Sequence, residues 1–299
     1  MKNKTISLTA AFFVISCVSA FAWGEQDSSP SIKNGVRVIG DYEFADNQLK
    51  NINIPDSVIS IGEGAFAKNP LTRVNIPKNV SSMVNGRSRN ANPFSMIPSL
   101  EFVSVDPMNS YFTSIDGVLY SKDKSILFAY PSVKGNVYTI PNGVTEIASR
   151  AFTGTQIGSI SLPNGLVIIG EGAFMSANLT SVIIPNSVNE IGSHAFFQNN
   201  LTNVTISTNI TSIEWWTFYG NQLTSVIIPG NVNSIGFMAF TGNQLTSITI
   251  GANVSLGSYV IDDDEYSGDA FDNGFDDFYN RNGKRDGTYT YTNGRWNRR

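Results

Sequence analysis

The sequence runs to 299 residues with 20 Lys and Arg against 24 Asp and Glu, a formal net charge of −4, and it holds one histidine and one cysteine. That acidic balance leaves nucleic acid out as a partner, and a lone thiol, at Cys17, leaves out both a disulfide framework and a cysteine-ligated metal. Beyond the N-terminal region no stretch approaches the roughly 18 apolar residues of a membrane-spanning helix.

At the N-terminus Lys2 and Lys4 precede an apolar run from Ile6 to Val18 and the small-residue site Ala20-Phe21-Ala22. This is the pattern of a secretory signal peptide over 1–22, with cleavage before Trp23. Its removal takes away two basic residues and leaves a net charge of 18 − 24 = −6. Val14-Ile15-Ser16-Cys17 loosely matches a lipoprotein box, so a mature chain anchored through a lipidated Cys17 stays open as the alternative. Both routes lead to a secreted or cell-surface protein.

Residues 23–48 read as an N-terminal cap that carries a half-repeat from 36 onward, and 49–250 read as a repeat solenoid. Phenylalanine recurs every 22 residues at Phe44 and Phe66, and again from Phe152 through Phe174, Phe196, Phe218 and Phe240. In the unit 223–244 the apolar residues are Leu223, Val226, Ile228, Val232, Ile235, Ala239 and Phe240. That is leucine-rich repeat spacing, in which a short strand turns alternate side chains inward. Proline at the seventh position (Pro55, Pro77, Pro141, Pro163, Pro185, Pro229) lacks an amide hydrogen and ends the strand. The Ile-Gly pair before each Ala-Phe marks a second turn. Asn47, Asn69, Asn199, Asn221 and Asn243 stand just before the next strand, where an amide side chain bonds turn backbone along the stack.

An insert occupies 81–136. Its first part, Ser81 to Asn92, is rich in Ser, Asn and Arg, and its second carries extra strands with hairpin turns at Asp116-Gly117 and Lys122-Asp123-Lys124. Residues 251–299 read as a C-terminal cap: an acidic loop, then a hairpin through Asn293-Gly294 that covers the last open sheet edge. The fold class is α/β, rich in β: a leucine-rich repeat solenoid of about ten units, with one parallel strand per repeat and short turns or helical turns between.

The core IPxxVxxIGxxAF, together with the irregular stretch VDPMNSYFTSIDGVLYSKDKSILFAYP at 105–131, resembles the BspA-like, treponemal-type leucine-rich repeat proteins of bacterial surfaces. The similarity spans roughly residues 36–271. It implies a repeat-built protein without enzyme activity or cofactor, engaged in adhesion to host matrix or partner-cell proteins. The family offers no fixed binding motif to carry over.

Candidate sites therefore come from the residues. His194 beside Ser193 is no catalytic triad and reads as an exposed surface histidine, while Glu63, Glu171 and Glu190 read as solvated. The acidic stretch from Asp262 to Asp277 lacks the spacing of a calcium loop and reads as a solvated loop balanced by Arg281, Lys284 and Arg285. Outward strand positions form a small, polar ladder, among them Ser181/Ile183, Asn203/Thr205 and Ser225/Ile227. The unit 201–222 departs most from consensus, with Ser207 for Pro, Glu214 for Gly, Thr217 for Ala, and Trp215-Trp216 at variable positions. With Tyr219, Phe197, Phe237 and Met238 these tryptophans make a candidate partner-binding strip for protein ligands. A tryptophan folded inward to compensate for the altered Gly and Ala is the competing reading. A structural envelope component and a glycan-binding module are the alternative functions. On export, mass spectrometry of the protein from its host should find Trp23 as the first residue, and a lipidated Cys17 would overturn that expectation.

Overall fold

Each 22-residue unit makes one turn of a solenoid, and its course follows from the order of its residues. The computed structural model describes residues 31–87, 89–261 and 264–299, with the backbone alone for 258–261 and 264–267. The signal segment with Cys17, and Asp262 and Asp263 of the acidic loop, lie outside the described residues.

In the unit 179–200 the strand Ser181–Ile183 buries Val182 between two exposed residues. The chain then turns at Pro185, whose carbonyl accepts a hydrogen bond from Val188 N at 3.0 Å. A second, two-residue strand, Glu190–Ile191, follows and buries its isoleucine. The turn after it carries Ala195 and Phe196 into the core. Each regular unit thus holds two short strands, where the repeat spacing had suggested one strand and a turn.

Strands of the first row pair in parallel at a 22-residue offset, as in Ser181↔Asn203 and Val182↔Val204. The second row runs from Ile126–Ala129 through Glu146–Ile147 and Ile168–Ile169 to Glu190–Ile191, then resumes as a separate sheet of Ser212–Ile213, Ser234–Ile235 and Ser255–Leu256. The Ile-Gly glycines set the spacing of this row. A Cβ added to Gly170 would lie 2.5 Å from Ser149 N, and one on Gly192 2.5 Å from Glu171 N. Successive second strands therefore approach more closely than any side chain allows. The unit 201–222 carries Glu214 at this position, where the second row divides into its two sheets.

The phenylalanines form a column. Phe196 is fully buried and stacks on Phe174 at 5.4 Å and on Phe218 at 5.3 Å. The column extends through Phe240 to Phe271 in the C-terminal cap. Beside it the asparagines bond as the repeat pattern implied. Asn199 Oδ1 accepts from Ala177 N and Leu179 N, and its Nδ2 donates to Phe174 O of the preceding turn.

The insert builds an antiparallel sheet of Phe112–Ile115, Val118–Ser121 and Ile126–Ala129. Asp116 and Gly117 both adopt positive φ, 50° and 82°, which a two-residue hairpin turn of this hand requires. Alternate residues of this sheet face two different cores. Val118, Tyr120 and Leu127 pack with the C-terminal units, whereas Leu119 and Phe128 pack with the N-terminal ones.

At the other end the hairpin Gly287–Thr292 and Arg295–Arg298 pairs antiparallel with Ser247–Ile250 and closes that sheet edge. The helix Phe275–Arg281 packs under it, with Phe275 edge-on to Phe271 at 5.0 Å. One expectation fails here. Asp276 is not solvated: it is 5 % exposed and accepts hydrogen bonds from Ala270 N and Phe271 N, which the broken repeat leaves without the usual rung partners. Burial pushes its carboxyl up to about 7. Asp277, by contrast, stays exposed and pairs with Arg281.

Because the column is continuous from Phe152 to Phe271, Phe196→Ala removes a ring from the middle of the stack. It should cost about 3–5 kcal/mol and melt the neighbouring units before the ends. Chemical denaturation with hydrogen exchange of 174–218 tests this, and uniform loss of protection along the chain would count against it.

Candidate functional site

The turn that follows each second strand opens with a residue in the left-handed region: Gly64 (φ 58°), Arg150 (60°), Gly172 (57°), His194 (58°), Trp216 (58°) and Met238 (52°). Glycine adopts this conformation freely, whereas histidine and tryptophan do so at a cost of order 1 kcal/mol. Three successive units thus hold bulky side chains where the fold is best served by glycine.

The structure brings the candidate strip together. Phe197 stacks on Tyr219 at 5.1 Å with planes 11° apart. Trp216 lies 5.2 Å from Trp215, 6.1 Å from Phe237 and 6.5 Å from Phe197. Met238 follows one unit further on, its amide bonded to Asp269 O. All six residues are half-buried instead of standing open, and the five aromatic ones pack on one another. Neither tryptophan fills the core. Thr217 occupies the alanine position, fully buried, and its hydroxyl donates to Glu214 O at 2.7 Å, so the column needs no other filler.

His194 belongs to this group, contrary to its reading as an exposed residue. Its ring sits 4.8 Å from both Trp215 and Trp216, edge-on to each. Burial, with Arg150 and Arg87 adding positive charge nearby, pushes its pKa down to about 4, so the ring is uncharged near neutrality.

Along the same face toward the N-terminus the residues are ionic, and here too the solvated reading gives way. Glu63, only 8 % exposed, accepts from Tyr42 Oη at 2.8 Å, Asn85 Nδ2 at 3.1 Å and Arg150 Nε at 2.5 Å. Burial alone would raise its pKa; Arg150 and the hydrogen bonds outweigh it and hold the carboxyl below its ordinary value. The Ser81 to Asn92 segment lies over this face, pairing Arg87 with Glu171 at 3.2 Å, Arg89 with Glu190, and Asn90 with Glu146 at 2.9 Å. Burial raises Glu171, and Arg87 opposes the rise.

Ionic and aromatic halves meet at a groove of about 350 Å³, located where the second strand row divides. Its lining includes Arg87, Arg89, Glu171, Glu190, Glu214 and Trp215. The opposite strand face is the neutral ladder, on which Ile183 and Ile227 are 73 % and 71 % exposed.

His194 makes the stability of this region depend on pH with a definite sign. Its folded pKa, about 4, lies below the ordinary 6.5, so the unfolded chain binds the proton first. Stability contributed by neutral His194 is complete above pH 6.5 and declines as pH falls toward 4, by something on the order of 2 kcal/mol. Asp276, raised to about 7, gives the opposite slope, so the comparison is with a variant. His194→Gln should lose less stability than the parent between pH 7 and 4.5 in urea unfolding. Parallel curves would show that the ring is solvated.

Residues 18–114 and 132–266 match the BspA type leucine rich repeat region, in 6 copies. The fold is similar to that in the crystal structure of the pneumococcal vaccine antigen PcpA, at 30 % identity and a TM-score of 0.51, over 75 % of this chain and 51 % of that one. It is also similar to a leucine rich cell surface protein from Faecalibacterium prausnitzii A2-165, at 30 % identity and a TM-score of 0.54, over 76 % of this chain and 54 % of that one. A leucine-rich repeat protein from Eubacterium ventriosum shares the fold at 20 % identity and a TM-score of 0.50, over 79 % and 80 % of the two chains. This chain spans about half the length of the first two relatives. No curated protein matches it. By its repeats and their fold, the chain belongs to the BspA-type leucine-rich repeat family.

Proposed function

We propose that this protein is a secreted or cell-surface adhesin that binds host matrix or partner-cell proteins through the aromatic turn face. The observation that carries the reading is the concentration of Phe197, Trp215, Trp216, Tyr219, Phe237 and Met238 on three adjacent units. Large aromatics at variable positions add nothing to the phenylalanine column, and two of these units hold the left-handed turn position with Trp216 and Met238 in place of glycine. Contact surfaces concentrate binding energy in such residues. Surface display draws support from the signal pattern at 1–22 and from the cell-surface relative. A non-catalytic role draws support from His194, which is walled by rings and uncharged near neutrality.

A Trp215→Ala, Trp216→Ala double variant should lose about tenfold or more in affinity for the immobilised protein ligand. Its cooperative unfolding should survive with Tm lower by only a few degrees, because both rings sit at the rim of the fold. Solid-phase binding to a panel of matrix proteins, read with calorimetry, decides the matter. Unchanged binding by the folded variant would move the contact surface to the neutral strand ladder.

A further inference from the structure

Three carboxylates line the groove, Glu171, Glu190 and Glu214, but only two guanidiniums meet them. Arg87 takes Glu171 and Arg89 takes Glu190. Glu214 accepts a hydrogen bond from Ser212 Oγ at 2.8 Å and has no salt bridge among the described residues. It shares the groove wall with Trp215, whose ring is 5.2 Å from Trp216. A carboxylate without a cation, next to an indole, is the environment that takes a flat cationic group, which pairs with the acid and stacks on the ring.

We infer that the groove receives an arginine side chain of the protein partner, paired with Glu214 and packed on Trp215. The inference rests on the aromatic turn face being the contact surface and adds the chemistry of what it contacts. The chain itself supplies the precedent: its insert already lays two arginines, spaced two residues apart, on the carboxylates of two consecutive units. Glu214, on the following unit, lines the same groove. His194, beside Trp215, adds no opposing charge near neutrality. A sugar would find donors and acceptors here too, but nothing in it answers an unmatched negative charge.

Glu214 contributes both a side chain to the groove lining and a negative charge. Glu214→Gln keeps the side chain and removes the charge, whereas Glu214→Gly removes both. The probe is an acetylated peptide, Gly-Arg-Gly-Arg-Gly, against its citrulline counterpart of equal shape and no charge, followed by tryptophan fluorescence at about 0.15 M salt. The parent should bind the arginine peptide at least about tenfold more tightly than the citrulline one, and both Glu214 variants should erase the difference. Asp46→Asn, which removes an equal charge from the first unit of the stack, should change affinity by less than about twofold. Equal affinity for the two peptides would overturn the inference. So would equal weakening by Glu214→Gln and Asp46→Asn, which is general attraction to an acidic chain, or saccharide binding that ignores Glu214→Gln. Loss of matrix binding in the double tryptophan variant but not in Glu214→Gln would leave the aromatic face standing and remove only the cationic partner.

Discussion

The backbone of one unit cannot satisfy itself, and the 22-residue register is what pairs it. Strand amides, the turn amides of residues such as Phe174, and the asparagine side chains all find partners one unit away. Buried unpaired amides and carbonyls cost about 1–3 kcal/mol each, so any unit that slips loses several such terms at once. The phenylalanine column depends on this register more than it creates it: rings stack at 4.9–5.4 Å from Phe152 to Phe240 because the backbone holds them at strand spacing.

A register of this kind must be interrupted with care. The insert does so by laying a hairpin sheet whose alternate residues serve two cores, so apolar burial continues where the repeat does not. Its first segment returns over the face of later units and ties Glu171 and Glu190 to the N-terminal half. At the C-terminal end the same problem is solved by an antiparallel strand on Ser247–Ile250 and by Asp276, which takes the Phe271 amide that a following unit would have taken, and the Ala270 amide beside it.

The phenylalanine period, the prolines and the asparagines could be read along the chain because each acts on its own unit or the adjacent one. The second strand row escaped that reading: two residues per unit leave no alternation to detect, and its identity lies in pairing at a distance. The ionic face escaped for a related reason. Glu63 meets Arg150 87 residues away, and Arg87 meets Glu171 84 residues away, across an insert that breaks the count. Two arginines spaced two apart in the insert, and an acid on each of two consecutive units, are the one trace of it in the sequence. His194 was misjudged because a variable position implies exposure unless its neighbours are large, and here both neighbours in the next unit are tryptophans.

The unit 201–222 shows how a rigid register can still host a site. Each departure from consensus inside the stack is repaired locally: Ser207 Oγ donates to Val188 O in place of the proline turn, and Thr217 donates to Glu214 O. Phe218 therefore keeps its place between Phe196 and Phe240. The consequences are displaced outward, onto the turn face, as a parted strand row, a groove and a group of half-buried rings. A fold built of identical units offers few places where one can differ without unzipping its neighbours. The turn face is such a place because its side chains carry none of the register, so chemistry that would be destabilising in the strands can accumulate there.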